Sequence, residues 1–308
     1  MHATIRYGKG QVTLYRTYAA PLAGLEPIPE SPFAGRANTL FAVDIDVEVF
    51  GDNFLAAYTE GDNRDVVATD TMKNFILRQA LAFEGATLEG LLAFLARQFL
   101  QTYPVMHTLR LSGRQVPFAA ATVPQETGGF GASGVLFSRS HDDHALATLD
   151  VERSGDDVAF TAHRCGQVGL QLIKLTGSSF TSFVRDEFTT LPERVDRPLF
   201  IFLDVFWRYA DPAQVVGDSP GYVAAEQVRD CVAAVFHRFV SNSIQHLVYE
   251  MATALLGRFP QLAEVSFEAQ NRLWDTAAVK EGDERVKVYC DPRPPYGMIG
   301  LTLKRDDL

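Results

Sequence analysis

The chain has 308 residues, 47% of them apolar, and a formal charge of −10 from 28 basic and 38 acidic side chains. That length suffices for two ordinary domains, or one large one, with a real hydrophobic core, and the composition is globular rather than disordered or fibrous. The acidic balance argues against nucleic acid as a partner, no apolar run reaches the roughly 18 residues that cross a bilayer, and an anionic substrate must find local cations.

In chain order, residues 5–18 (Ile5, Tyr7, Val12, Leu14, Tyr18) hint at a strand. Residues 21–36 hold four prolines and read as a long loop. The segment 39–49 alternates Phe41, Val43, Ile45, Val47 and Val49 with Asp44, Asp46 and Glu48, the pattern of an antiparallel strand with one wet face. After Thr69 the period changes. Met72, Phe75, Ile76, Ala80 and Phe83 make one helical stripe, with Asp70 placed as its N-cap. A second helix is predicted over 87–102, capped by Thr87, buried through Leu88, Leu91, Leu92, Leu95 and Phe99, and stopped by Pro104.

Strands are then predicted at 106–112, 134–139, 145–152, 157–163 and 167–175. The second half replays the plan. A strand at 198–208 precedes helices at 222–240 and 244–257, and strands at 262–268, 284–290 and 297–304 follow. A strands–helix–helix–strands unit is used twice, without recognisable residue identity between the halves. Cys165, Cys231 and Cys290 are scattered, odd in number and lack CxxC spacing, so they read as free thiols rather than a disulfide frame or a zinc site.

Two short motifs fail on context. Gly129–Gly134 is literally GxGxxG, but neither a preceding strand nor a following helix frames it, so a hairpin is the better reading than a dinucleotide site. His141-Asp142-Asp143-His144 has neither HExxH nor zinc-finger spacing and reads as a solvated turn. No GxSxG elbow is present.

Five longer segments carry more. Arg6-Tyr7-Gly8-Lys9 opens the chain. Val66 to Asn74 reads VVATDTMKN, and Ser178 to Glu193 reads SSFTSFVRDEFTTLPE, with Asp196-Arg197 just beyond. Ser243-Ile244-Gln245-His246 and Gln270-Asn271-Arg272 follow. In this order they resemble the signature of the urate oxidases, cofactor-free enzymes that oxidise uric acid. The resemblance spans most of the chain. It implies an α+β architecture of tandem tunnelling-fold (T-fold) domains, residues 1–150 and 151–308, each an antiparallel sheet with two helices on one face. It also implies a homotetramer whose sheets form a barrel. Continuous pairing across subunits would protect the sheet edges.

Urate is a flat purine and an anion at neutral pH. Recognising it calls for a planar cation, an amide for the purine edge and a ring to stack on. Arg197, Gln245 and Phe180 supply these, and the resemblance places them on the substrate. It puts Leu191 and Ile244 along the pocket, the latter also through its main chain. It brings Thr69 and Asp70 from a neighbouring subunit, so the active sites lie at subunit interfaces. Taken singly, Phe180 also reads as core, Arg197 as a partner of Glu193 or Asp196, Gln245 as an exposed helix-start residue and Lys9 as a surface lysine.

For the chemical step the resemblance makes Lys9 the base, Thr69 its hydroxyl relay, and Asn271 the group that holds dioxygen or water above the ring. Urate's own π-system reduces dioxygen, so neither cofactor nor metal is implied. One departure concerns the relay. Two residues after Asn271 many members of the family have a histidine, and this chain has Leu273. His246, beside Gln245, is a poor substitute because helical neighbours point in different directions.

The N-terminal Met1-His2-Ala3-Thr4 lacks an export signal, and Arg305-Asp306-Asp307-Leu308 is not a peroxisomal tripeptide, so a bacterial cytoplasm is expected. The alternatives are another tunnelling-fold enzyme acting on a purine or pterin, and a purine-binding relative that lost catalysis.

Overall fold

A computed structural model describes residues 5–139, 141–155, 157–216, 221–272, 274–291 and 294–308. Leu273 therefore lies outside the described residues. Contacts divide the chain into two units. The first holds Phe33–Gly166 and Arg208–Ala224 together with Pro27 and the residues before it, and the second holds Ile28–Pro32, Gln167–Trp207 and Ala225–Leu308.

In the first unit, β1 (Arg6–Thr17), β2 (Leu40–Phe50), β3 (Thr108–Gln115), β6 (His144–Ser154) and the start of β7 (Asp157–Lys174) form a sheet in the order β1-β2-β3-β6-β7. The resolved registers are antiparallel, with Val47 opposite Lys9 on one side and Leu111 on the other. The alternation read from β2 is real: Phe41, Val43, Ile45, Val47 and Val49 are buried. After the short α1 (Leu55–Thr59) come α2 (Thr69–Gln79) on β1 and α3 (Leu88–Thr102) on β3 and β6. The α3 stripe of Leu88, Leu91, Leu92, Leu95 and Phe99 is buried, and truncating one such leucine to alanine costs about 2–5 kcal/mol.

The second unit repeats this. The end of β7, β8 (Leu199–Tyr209), β9 (Leu262–Arg272) and β12 (Gly297–Lys304) form its sheet, and α4 (Ala225–Arg238) and α5 (Ile244–Arg258) are its helices. Each unit also has a separate hairpin: β4 (Phe118–Pro124) with β5 (Phe130–Arg139) between β3 and β6, and β10 (Thr276–Lys280) with β11 (Asp283–Tyr289) between β9 and β12. The Gly129–Gly134 run thus belongs to the turn and second strand of a hairpin.

The repetition reaches individual hydrogen bonds. In β1 the backbone N–H of Gln11, at φ 56°, donates to Asp46 Oδ1, and in β7 that of Gly169, at φ 78°, donates to Asp204 Oδ1. Arg16 at the end of β1 donates to the carbonyls of Ala80 and Phe83 beyond α2, and Lys174 at the end of β7 donates to those of Phe236 and Phe239 at the end of α4. Arg153 in β6 donates to the Leu100, Tyr103 and Met106 carbonyls in and beyond the last turn of α3. Arg305, just past β12, does the same for Leu256, Phe259 and Leu262 in and beyond the last turn of α5. Cations thus satisfy helix C-terminal carbonyls at equivalent places in both units.

Several expectations need correction. Asp70 is not the N-cap of α2, because the helix already starts at Thr69 behind Ala68, and its carboxylate instead accepts from Lys73 and Asn74 one turn on. It still favours the helix electrostatically from the first turn. The strands predicted at 157–163 and 167–175 are one strand, in which Gly169, at φ 78°, donates its backbone N–H to Asp204. The helix predicted from 222 begins at Ala225.

Candidate active site

Between β7 and β8 the chain makes an excursion whose two legs are laced together. Phe180 and Arg194 exchange backbone hydrogen bonds at 2.8 and 3.0 Å, and the Arg197 N–H donates to the Ser178 carbonyl at 2.8 Å. The Asp196 carboxylate accepts from the Thr176 hydroxyl at 2.5 Å and the Gly177 N–H at 2.7 Å, and these bonds, the hydroxyl first, hold its pKa below the usual carboxylate value. Glu193 Oε1 accepts from the Ser182 N–H. Both acids read from the sequence as partners of Arg197 thus support the backbone of the excursion.

The Arg197 guanidinium lies 5.5 Å from the Phe180 ring centroid, and Phe180 stacks on Phe183 at 4.9 Å and 11°. The Arg197 Nε is buried without a hydrogen-bond partner among the described residues. Burial, then the charge of Arg194, lowers the Arg197 pKa, but a guanidinium remains a cation at neutral pH. A half-buried planar cation over an aromatic ring, with a donor still unspent, suits a flat ligand carrying acceptors.

The same excursion is tied to the start of α5. Ser179 N–H donates to the Ser241 carbonyl at 2.8 Å, and the buried Ser178 and Ser241 hydroxyls bond each other at 3.2 Å. Ser243 then caps α5 by accepting from the His246 N–H at 3.0 Å. Gln245 is exposed in the first turn. The Ile244 side chain is buried, so this residue offers a ligand its main-chain N–H, one of the donors a helix start leaves without an intrahelical acceptor. Asn271 is half-buried near the end of β9, opposite Gly297. Leu191 is 36% exposed on the excursion, its carbonyl accepting from Arg185.

Lys9, Thr69 and Asp70 belong to the first unit. Lys9 precedes the β1 bulge, paired with Val47. Its neighbour must be glycine, because a Cβ on Gly8 would stand 1.9 Å from the Val47 carbonyl oxygen. The Tyr7 hydroxyl accepts from the Val67 N–H at 3.1 Å, which pins the segment before α2 beside β1. Lys9 is consequently near enough to Asp70 to help lower its pKa, after the larger effects of the Lys73 hydrogen bond and charge. Thr69 and Asp70 are exposed. Lys9 also lines a cleft of about 470 Å³ with Arg6, Asp46, Glu48, Arg110 and Ser112.

The predicted residues therefore form two groups, one in each unit. Phe180, Leu191, Arg197, Ile244, Gln245 and Asn271 belong to the second, and Lys9, Thr69 and Asp70 to the first. Sequence reasoning missed the supporting groups: Asp196, Ser178, Ser241 and Tyr7 act by fixing backbone, and only the folded chain shows what they hold.

The Uricase family model matches residues 47–155 and 163–300. The uric acid degradation bifunctional protein of Bacillus subtilis is 46% identical over 308 residues, covering 100% of this chain, which spans 62% of that longer relative. A uricase of Halalkalicoccus jeotgali is 46% identical over 306 residues, 99% of each chain. Among solved structures, the urate oxidase of Bacillus sp. TB-90 superposes with a TM-score of 0.94 at 45% identity, covering 98% of this chain and 100% of the other.

Proposed function

The chain belongs to the uricase family, and from that membership we propose that it oxidises urate with dioxygen and water to 5-hydroxyisourate and hydrogen peroxide, in purine degradation and without a cofactor. The observation that carries the proposal is the half-buried Arg197 guanidinium 5.5 Å from the Phe180 ring centroid. A purine anion brings both the charge and the flat face that such a cation and ring recognise.

In this reading urate lies on Phe180, with Arg197 on one edge and Gln245 and the Ile244 N–H on the other. Leu191 walls the pocket and Asn271 holds dioxygen or water above the ring. Lys9 takes the substrate proton through the Thr69 hydroxyl, and the electron-rich dianion then reduces dioxygen. Thr69 and Asp70 come from a second copy of the chain, whose sheets join those of the first in a homotetrameric barrel built from tandem T-fold domains. Their exposure, with that of Gln245, is what a site completed by another copy requires. A bacterial cytoplasm suits the free Cys165, Cys231 and Cys290 thiols.

Oxygen uptake measured alongside the loss of urate's ultraviolet absorbance, on metal-chelated protein, tests the proposal. Joint consumption with accumulation of peroxide is expected. Urate binding without consumption of either would instead support the non-catalytic purine binder that Leu273, in place of the relay histidine, brings to mind.

A further inference from the structure

The register that equates Gln11 with Gly169 and Arg16 with Lys174 continues into the excursions. The isolated bridge Leu22–Arg36 of the first unit answers the bridge Phe180–Arg194 of the second, and all four pairs of residues share one sequence separation. Asn38 stands where Asp196 stands, and like it ties its excursion down, donating to the carbonyls of Ala20 and Ala86. Thr87 caps α3 as Ser243 caps α5, so Glu89 and Gln245 occupy the same place in the first turn of equivalent helices. Leu22 and Glu89 are thus the counterparts of the stacking ring and the edge-reading amide.

The place between them is occupied. Tyr222 is buried in one apolar cluster with Leu22, Ala86 and Ala224, and its hydroxyl donates to Glu89 Oε2 at 3.2 Å. The Cys165 thiol is a second neighbour of this carboxyl. Glu89 is 4% exposed, and burial raises its pKa against the opposing effect of these hydrogen bonds. A flat six-membered ring with a polar edge thus lies where the second unit would hold its substrate.

We infer that the first unit contains a second heterocycle pocket, built on Leu22 and Glu89 as the other is built on Phe180 and Gln245, and that the chain fills it with its own Tyr222 side chain. The inference rests on the reading of Phe180 and Gln245 as substrate groups. The two pockets differ in chemistry. Gln245 offers one donor and one acceptor, whereas the two oxygens of Glu89 suit a flat heteroaromatic with two adjacent N–H donors. Thr39 replaces the cation Arg197, and Arg36 is the cation whose charge reaches the Glu89 carboxyl.

Removing the tyrosine ring should therefore create a ligand site and not merely a void, as engineered apolar cavities take up aromatic molecules. The experiment is calorimetric titration of 2-aminobenzimidazole into the full chain, its Tyr222→Ala variant and the Tyr222→Ala/Glu89→Gln double variant, with urate turnover followed in parallel. Tyr222→Ala should bind one more equivalent per chain than the parent, and the double variant should bind it at least about tenfold more weakly. A folded Tyr222→Ala variant with no additional equivalent at millimolar probe overturns the inference, and so does equal affinity in the double variant. If Tyr222→Ala folds only when produced with the probe, the inference stands. If it folds neither with nor without the probe, Tyr222→Leu is titrated in its place under the same criteria. Failure of the urate reading shows separately, as parent protein that does not consume urate.

Discussion

The Arg197 guanidinium sits 5.5 Å from the centroid of the Phe180 ring, and the acids nearest to it in sequence turn their oxygens to backbone and hydroxyl donors instead. The cation is thereby held in place without being neutralised. Arg197→Ala should weaken urate binding roughly 10- to 150-fold, the worth of about 1.5–3 kcal/mol for a hydrogen bond to a charged group. Arg197→Lys should recover only part, since an ammonium lacks the planar fork. Anaerobic titration with urate measures this, and unchanged affinity in the alanine variant would show the clamp to be elsewhere.

Lys9 carries the opposite signature. Lys9→Met should lower turnover by about 10²- to 10⁴-fold, the usual worth of a positioned proton acceptor, and leave urate affinity nearly intact. Steady-state rates combined with anaerobic binding separate the two effects. A variant that turns over at the parent rate would remove Lys9 from the mechanism.

The equivalent caps Thr87 and Ser243 predict a split between stability and function. Each alanine variant should lose about 1 kcal/mol and lower the melting midpoint by about 2–4 °C. Only Ser243→Ala should also raise KM for urate, because Ser243 fixes the helical turn that presents Gln245. Calorimetry and kinetics on both variants make the comparison, and equal KM values would sever the cap from the site.

Asp196 gives a pH dependence of definite sign. Its folded pKa lies below the ordinary carboxylate value, first through the Thr176 hydroxyl and then through backbone N–H groups including that of Gly177. The stability it contributes is present above the unfolded pKa and is lost as pH falls through the folded one. Asp196→Asn should therefore melt below the parent at neutral pH, and the two curves should converge as the medium becomes acid enough to protonate Asp196. A gap that stays constant into acid would mean that the carboxylate charge is irrelevant to the excursion.

Much of this molecule can be read before it folds, and the illegible parts have common causes. The β2 alternation and the α3 stripe are legible because burial imposes one period on many residues. Phe180, Arg197 and Gln245 stand out as candidates because they lie in or beside motifs of distinctive order. The strand β10, Thr276–Lys280, is not, since every residue in it is exposed and no face is selected. The internal repeat is hidden for another reason. Its equivalent positions are fixed by what a side chain does for the backbone, and Arg16 and Lys174 do one job with different chemistry.

The membership of the two units also bears on synthesis. The stretch Arg208–Ala224, which includes Tyr222, belongs to the first unit although most of the second unit's excursion precedes it in the chain. On the ribosome, the N-terminal half must therefore wait, with Glu89 still wet and Leu22 uncovered, until residues beyond 222 have emerged. A cut after Gly166 would therefore leave Arg208–Ala224, and Tyr222 with it, on the fragment that holds the second unit.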